Sequence, residues 1–225
     1  MHHIMFDIDG TLVESYELDS ECFVCAVEEV TGIVVDGNWS KYRNVTDAGI
    51  LAEIIENHRL PDTSELKCKI KESFVSKIRD GLKLSPVSEV RGASMFLNQL
   101  RNIRNITVSI ATGGWYESAI LKLEAAGINI ENIPIATSND HYDRKRIMTL
   151  SQNRAGGKDG VPCTYFGDAI WDQNACAELG VNFVLIGNKL EHNPSFQDFR
   201  SFREIIASID PNLAQSIDNY PCLNH

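Results

Sequence analysis

No stretch of this sequence approaches the roughly 18 consecutive apolar residues that a membrane-crossing helix needs. The segment Met1-His2-His3-Ile4-Met5-Phe6 also lacks the charged start and long apolar run of a secretory signal. Its His pair reads as native or as the scar of a tag. Positive charge is scarce: 21 Lys and Arg stand against 31 Asp and Glu, for a formal net charge of −10. A field of that sign disfavours non-specific binding to nucleic acid or to an anionic membrane, although one local cation can still recruit an anionic substrate. Cysteine is sparse and unpatterned. Of Cys22, Cys25, Cys68, Cys163, Cys176 and Cys222, only the first two stand close, with no second pair at zinc spacing. They read as reduced thiols of a cytoplasmic protein. Internal repeats and low-complexity segments are absent. With 43% hydrophobic and 23% charged residues among 225, the chain is expected to be globular, one sizeable domain or a domain carrying a small insertion.

What is present is an alternation. Residues 4–8 form a short apolar run that ends at acidic residues and Gly10, the pattern of a buried strand and loop. Helical spacing then takes over. Residues 18–30, 48–58 and 64–78 read as three helices, with Gly32, Pro61 and Gly81 as breakers. After Pro86, strands are expected over 107–111, 133–137, 164–166 and 183–186. Helices are expected over 88–100 (capped by Ser88), 115–126, 144–153, 171–179 and 199–209. Strands alternating with helices imply right-handed crossovers and a mostly parallel sheet covered on both faces. The expected fold is thus a three-layer, Rossmann-like α/β core, residues 1–13 and 85–225, with a small helical cap, residues 14–84, inserted after the first strand.

In such sheets ligands bind beyond the carboxyl ends of the strands. Asp7, Asp9, Gly10 and Thr11 follow the first strand, and Thr112, Gly113 and Gly114 the second. Asp140, Asp143, Arg144, Lys145 and Arg146 follow the third, and Gly167, Asp168 and Asp172 the fourth. Carboxylates, a hydroxyl beside backbone amides and a group of cations converge there. Those are the parts of a magnesium-dependent phosphoryl-transfer site.

Three of these stretches carry a resemblance. Phe6-Asp7-Ile8-Asp9-Gly10-Thr11-Leu12-Val13 is similar to the first motif of the haloacid dehalogenase superfamily, Thr112-Gly113-Gly114 to the second, and Gly167-Asp168 with Asp172 to the fourth. Leu121–Gly127 and Trp171–Gly180 resemble helices of its phosphoglycolate-phosphatase-like members, and the helical block resembles their cap. The third motif departs from the subgroup, which often has Lys followed by Pro; no Pro follows in Asp143-Arg144-Lys145-Arg146-Ile147. Lys145 is taken as the phosphate clamp, ahead of Arg144 and Arg146, because the motif usually contributes a lysine near the start of this helix.

The resemblance implies a phosphatase acting on a small phosphorylated metabolite through an aspartyl-phosphate. It makes Asp7 the nucleophile and Asp9 the acid/base. Magnesium would be held by Asp7, Asp168 and Asp172 and by the backbone carbonyl of Asp9. Thr112, Gly113 and Lys145 would bind the phosphoryl oxygens. Arg43, Thr46 and Asp47 stand where some relatives face the leaving group, and Thr46 could equally only cap the helix that follows. Trp39, Trp115 and Trp171 read as packing residues, and His58 and His141 as surface residues. Two other readings share this fold: a sugar phosphomutase, and a catalytically idle phosphate-binding or regulatory module. A dehalogenase is disfavoured, because it needs no second aspartate and Asp9 is present.

Overall fold

A computed structural model describes residues 1–157 and 160–217. Six parallel strands form one sheet in the order β3-β2-β1-β4-β5-β6. They are β1 (His2–Phe6), β2 (Ile106–Ala111), β3 (Ile135–Ala136), β4 (Cys163–Gly167), β5 (Asn182–Ile186) and β6 (Ser195–Phe196). Alternation along β1 builds both faces of the sheet. Ile4 and Phe6 enter one apolar cluster, which α4 (Ala93–Arg101), α5 (Tyr116–Ala125) and α8 (Phe202–Ile209) complete through Phe96, Leu97, Leu123 and Ile205. Met5 enters the opposite cluster, covered by α6 (Arg144–Arg154) and α7 (Ile170–Leu179) through Ile147, Met148, Ala175 and Cys176. β1 and β4, the central pair, are buried along their whole length, as strands covered on both faces must be.

His2 and His3 belong to this sheet. His3 is buried, with Nδ1 2.8 Å from Thr107 Oγ1 and Nε2 2.9 Å from Ser109 Oγ. Burial pushes its pKa down to about 4. His2 Nε2 lies 2.9 Å from Thr164 Oγ1.

Between β1 and α4 come α1 (Tyr16–Thr31), α2 (Asp47–Asn57) and α3 (Ser64–Leu84). They have an apolar cluster of their own, in which Phe23, Ala26 and Val27 of α1 meet Ile70, Phe74 and Ile78 of α3. Residues four apart share a helix face, so α3 presents those three as one stripe. Gly81 does not end α3. A Cβ there would lie 2.6 Å from Leu18 Cδ1, so glycine lets the two helices approach while α3 continues. The chain segments leading into and out of this insertion are tied together: Glu14 N–H donates to Ser88 O at 2.9 Å, and Val13 bridges Glu89. Ser88 is thus engaged at that junction, and α4 starts instead after Gly92, whose φ is +83°. A last helix, α9 (Pro211–Ile217), and the two-residue β6 are shorter than a periodic pattern can reveal, whereas β3 falls inside the strand expected over 133–137. Cys222 lies outside the described residues, and Cys22, Cys25, Cys68, Cys163 and Cys176 are free thiols. Among the described residues no helix is long and apolar enough to cross a membrane.

Candidate active site

The carboxyl ends of β1, β2 and β4 lie side by side, because β1 pairs with β2 on one edge and β4 on the other. Asp7 follows β1 directly and is 4% exposed. Asp168 follows β4, and Asp172 sits in the first turn of α7. Each of the three offers one oxygen, and these oxygens all lie within 4.8 Å of one another. Asp7 Oδ1 is buried without a hydrogen-bond partner. Gly10, with φ +80°, turns the chain against Asp168, whose carboxylate a Cβ at that position would strike.

Three buried carboxylates at this spacing repel one another. Burial, and next Asp172, hold the Asp7 carboxyl well above the ordinary range, with Arg144 opposing. Burial and Asp172 push Asp168 up to about 6. Burial raises Asp172, again against Arg144. An all-oxygen, anionic donor set with one buried oxygen unpartnered fits a hard divalent cation.

Arg144 is the residue that differs most from the sequence expectation. The first residue of α6, it turns inward: Nη1 lies 2.7 Å from Asp172 Oδ1 and 3.8 Å from Asp7 Oδ1, and Nη2 donates to Val45 O at 2.9 Å. Gly113 makes room for it, since a Cβ there would collide with the guanidinium. Lys145, one residue on, is rotated about 100° round the helix. Its Nζ pairs with Glu178 at 2.5 Å on a partly exposed surface. Of these two neighbours it is Arg144, and not Lys145, that lines the cavity with Asp7. Lys145→Ala should change stability by less than about 0.5 kcal/mol, as loss of an exposed ion pair does. Urea unfolding and phosphate-release rates, both near wild type, would check this.

Asp9 faces the same cavity as Asp7. Its carboxylate accepts from Ser15 Oγ at 2.5 Å and from Lys122 Nζ at 2.7 Å. Lys122, on α5, is completely buried and also pairs with Asp19 of α1. Burial raises Asp19 to about 6, with Lys122 opposing. Thr112 and Gly113 line the cavity beside Asp7; Thr112 Oγ1 accepts from Gly114 N–H at 3.1 Å.

The insertion closes the other side. Thr46 caps α2 by accepting from Gly49 N–H at 3.0 Å, and its hydroxyl donates to Tyr142 O at 2.6 Å. It also lines the cavity, so capping and lining coincide in one residue. Asp47 is buried, with Oδ2 accepting from Trp115 N–H at 2.7 Å. Burial, and next Asp19, hold its carboxyl well above the ordinary range. Arg43 does not reach the cavity. It lies on the outer surface, paired with Glu53 and Glu56. Trp115 packs inside the insertion's cluster, while Trp39 and Trp171 also border the cavity. His141 stacks on Tyr142.

A protein-family profile described as haloacid dehalogenase-like hydrolase matches residues 4–186. The chain belongs to that family. No curated protein matches it in sequence. Among solved structures it is similar to a hydrolase from Pseudomonas syringae (22% identity, TM-score 0.69, covering 86% of this chain and 88% of that one). It is similar also to beta-phosphoglucomutase from Clostridium difficile (16%, 0.71, 95% and 99%) and to CbbY from Rhodobacter sphaeroides in complex with phosphate (16%, 0.68, 93% and 99%). At these identities the likeness shows the fold.

Lys122 and Asp19 escaped the sequence reading, although a signal existed. Lys122 stands three residues after Ala119, on the apolar face of α5, and Asp19 stands four before Phe23 on that of α1. Charged residues at inward helical positions need a partner, and here they are each other's. Lys189, whose Nζ lies 2.6 Å from Asp168 Oδ2, comes from a loop with no periodicity to mark it.

Proposed function

We propose that the protein is a magnesium-dependent phosphatase that hydrolyses a small phosphate monoester through an aspartyl-phosphate on Asp7. The observation that carries this reading is the buried cluster of Asp7, Asp168 and Asp172, in which Asp7 Oδ1 accepts no hydrogen bond. A buried carboxylate oxygen that accepts no hydrogen bond is costly unless the site puts it to use.

Asp7, Asp168 and Asp172 would hold magnesium, with the Asp9 carbonyl. Bound there, the ion supplies positive charge against the repulsion between a phosphoryl dianion and an attacking carboxylate. A carboxylate oxygen of Asp7 attacks phosphorus; the new O–P bond forms as the bond to the ester oxygen breaks. The Asp9 carboxyl gives its proton to the departing oxygen. In the second step Asp9 takes a proton from water, the water oxygen bonds to phosphorus, and orthophosphate leaves with the Asp7 carboxylate restored. Thr112, the Gly113 amide and Arg144 orient the phosphoryl oxygens. Ser15 and Lys122 fix the position of the Asp9 carboxyl group. Residues 14–84 act as a cap over the core formed by 1–13 and 85–225, so that Thr46 and Asp47 meet the leaving group and closure excludes water.

The test is orthophosphate release from an aryl phosphate and a panel of small phosphate esters. Release should require magnesium, stop in excess chelator and resume on adding magnesium back. Calcium, with larger and looser coordination, should inhibit. Release without a sugar bisphosphate activator would set the protein apart from a phosphomutase. Full turnover in excess chelator would overturn the metal assignment, and an absence of turnover on every ester would leave the idle binding module as the reading.

A further inference from the structure

The loop that follows β2 is held from two sides. From the core, Ala136 O accepts from Thr112 N–H at 3.1 Å, and Ser138 N–H donates to Gly114 O at 3.0 Å. From the insertion, Asp47 takes two further backbone groups. Its N–H donates to Gly113 O at 2.8 Å, and its Oδ2 accepts from Trp115 N–H at 2.7 Å. The Trp115 side chain extends the attachment. Its ring lies 5.8 Å from that of Phe23 and 5.4 Å from that of Phe74, inside the insertion's own apolar cluster. Gly113 N–H takes part in no hydrogen bond among the described residues and stays free for a phosphoryl oxygen.

Arg144 rests on the same short segment of the insertion, since Val45 O accepts from its Nη2 at 2.9 Å. A Cβ on Gly113 would lie 3.0 Å from Val45 O and 2.5 Å from Arg144 Nη2. Loop, guanidinium and the start of α2 therefore pack without a gap. Thr46 and Ala48, on either side of Asp47, fasten to the core as well, through Tyr142 O at 2.6 Å and Ser138 Oγ at 2.8 Å. Both protein parts that would grip the phosphoryl oxygens, the Gly113 loop and Arg144, are thus bonded to residues 45–48. The loop needs such a hold, because two adjacent glycines leave its backbone with wide conformational freedom. Asp47 is buried, so removing its carboxylate would strand the Trp115 N–H away from water, at the full cost of an unmade hydrogen bond.

We propose that Asp47 is a positioning residue for phosphate: it fixes the Gly113 loop in the geometry that receives the phosphoryl oxygens, whatever the leaving group. This rests on the phosphatase reading of the same site and gives Asp47 a role on the phosphoryl side in addition to its place beside the leaving group. Orthophosphate with magnesium is the probe, because it carries no leaving group. D47A should raise its calorimetric Kd roughly tenfold, the scale of one buried hydrogen bond lost, and should raise KM for acetyl phosphate and for larger esters by similar factors. D47N, whose amide oxygen can accept the Trp115 N–H, should regain most of that affinity. A residue that only stabilised the fold would lower the melting temperature and leave the Kd of the folded protein unchanged. Coupling between two sites is reciprocal, so saturating orthophosphate should slow exchange of the Asp47 and Ala48 amide protons of the wild type, both donated across to the core, by roughly tenfold or more. That measurement needs no variant and is decisive by itself if D47A does not fold. An unchanged phosphate Kd in D47A, with only the ranking of esters shifted, overturns the proposal and leaves Asp47 as a leaving-group contact. D47N no better than D47A, or unchanged exchange with phosphate bound, overturns it too. If orthophosphate binds with this dependence on Asp47 but no ester is hydrolysed, the positioning role stands and the phosphatase reading fails. If orthophosphate does not bind the wild type, both fall.

Discussion

Replacing Asp7 with asparagine should lower phosphate release by roughly 10⁴–10⁶-fold, the scale seen when a covalent nucleophile is removed. The amide keeps the shape of the carboxylate but loses its charge and nucleophilicity. The same substitution should raise the urea midpoint of the metal-free protein. Asp7 is buried beside Asp172 and Asp168, and its carboxyl is held well above the ordinary range by burial and by those neighbours. A neutral side chain removes that repulsion. Activity and stability moving in opposite directions is what a strained functional residue produces. A purely structural Asp7 would lose stability in D7N, and wild-type-like phosphate release would sink the mechanism.

The second large effect belongs to Lys122. Changing it to methionine should destabilise the fold by about 3–5 kcal/mol, the cost of breaking a buried ion pair and leaving its partners uncompensated. Asp9 and Asp19 both bond to its ammonium group, and it has no exposure to water. The loss should depend on pH. The folded-state pKa of Asp19 is already raised to about 6, burial being the main cause. A carboxyl group whose folded pKa lies above its unfolded value favours the fold below the unfolded pKa and progressively disfavours it as pH rises through the folded one. Without Lys122 that opposition grows. K122M should therefore show a larger deficit in urea at pH 8 than at pH 5. A deficit independent of pH would mean that Lys122 acts by packing alone.

These two residues mark where the sequence was legible and where it was not. Asp7 could be read because its chemistry is written locally: a short apolar run, Ile4-Met5-Phe6, then two acids around one turn and a glycine that the turn requires. Asp168, Thr112 and Gly113 follow strands in the same way, and a parallel sheet brings strand ends together whatever the loops do. The helices of the insertion were equally visible through their apolar stripes. Lys122, Asp19 and Arg144 were harder because their roles depend on how helices pack. Whether Arg144 or Lys145 turns inward is decided by one residue of helical phase at the start of α6, and nothing in Arg144-Lys145-Arg146 distinguishes the three. Gly81 shows the opposite error. Its composition reads as a break, yet close approach to Leu18 makes it a packing residue inside α3. Arg43 is expected at the cavity only from the resemblance of its loop to one that faces the leaving group in some relatives, whereas Glu53 and Glu56, one turn apart on α2, draw it outward.

The central claim is that the phosphoryl group passes through Asp7, and trapping tests it most directly. The protein with magnesium is mixed with a phosphate ester it turns over, quenched in acid within one turnover and digested, and the peptides are examined by mass spectrometry. A phosphoryl adduct should appear on the peptide that carries Asp7, and it should be absent from D7N and from protein quenched in excess chelator. Steady release of orthophosphate with no adduct on that peptide, or an adduct on another residue that persists in D7N, would contradict the account.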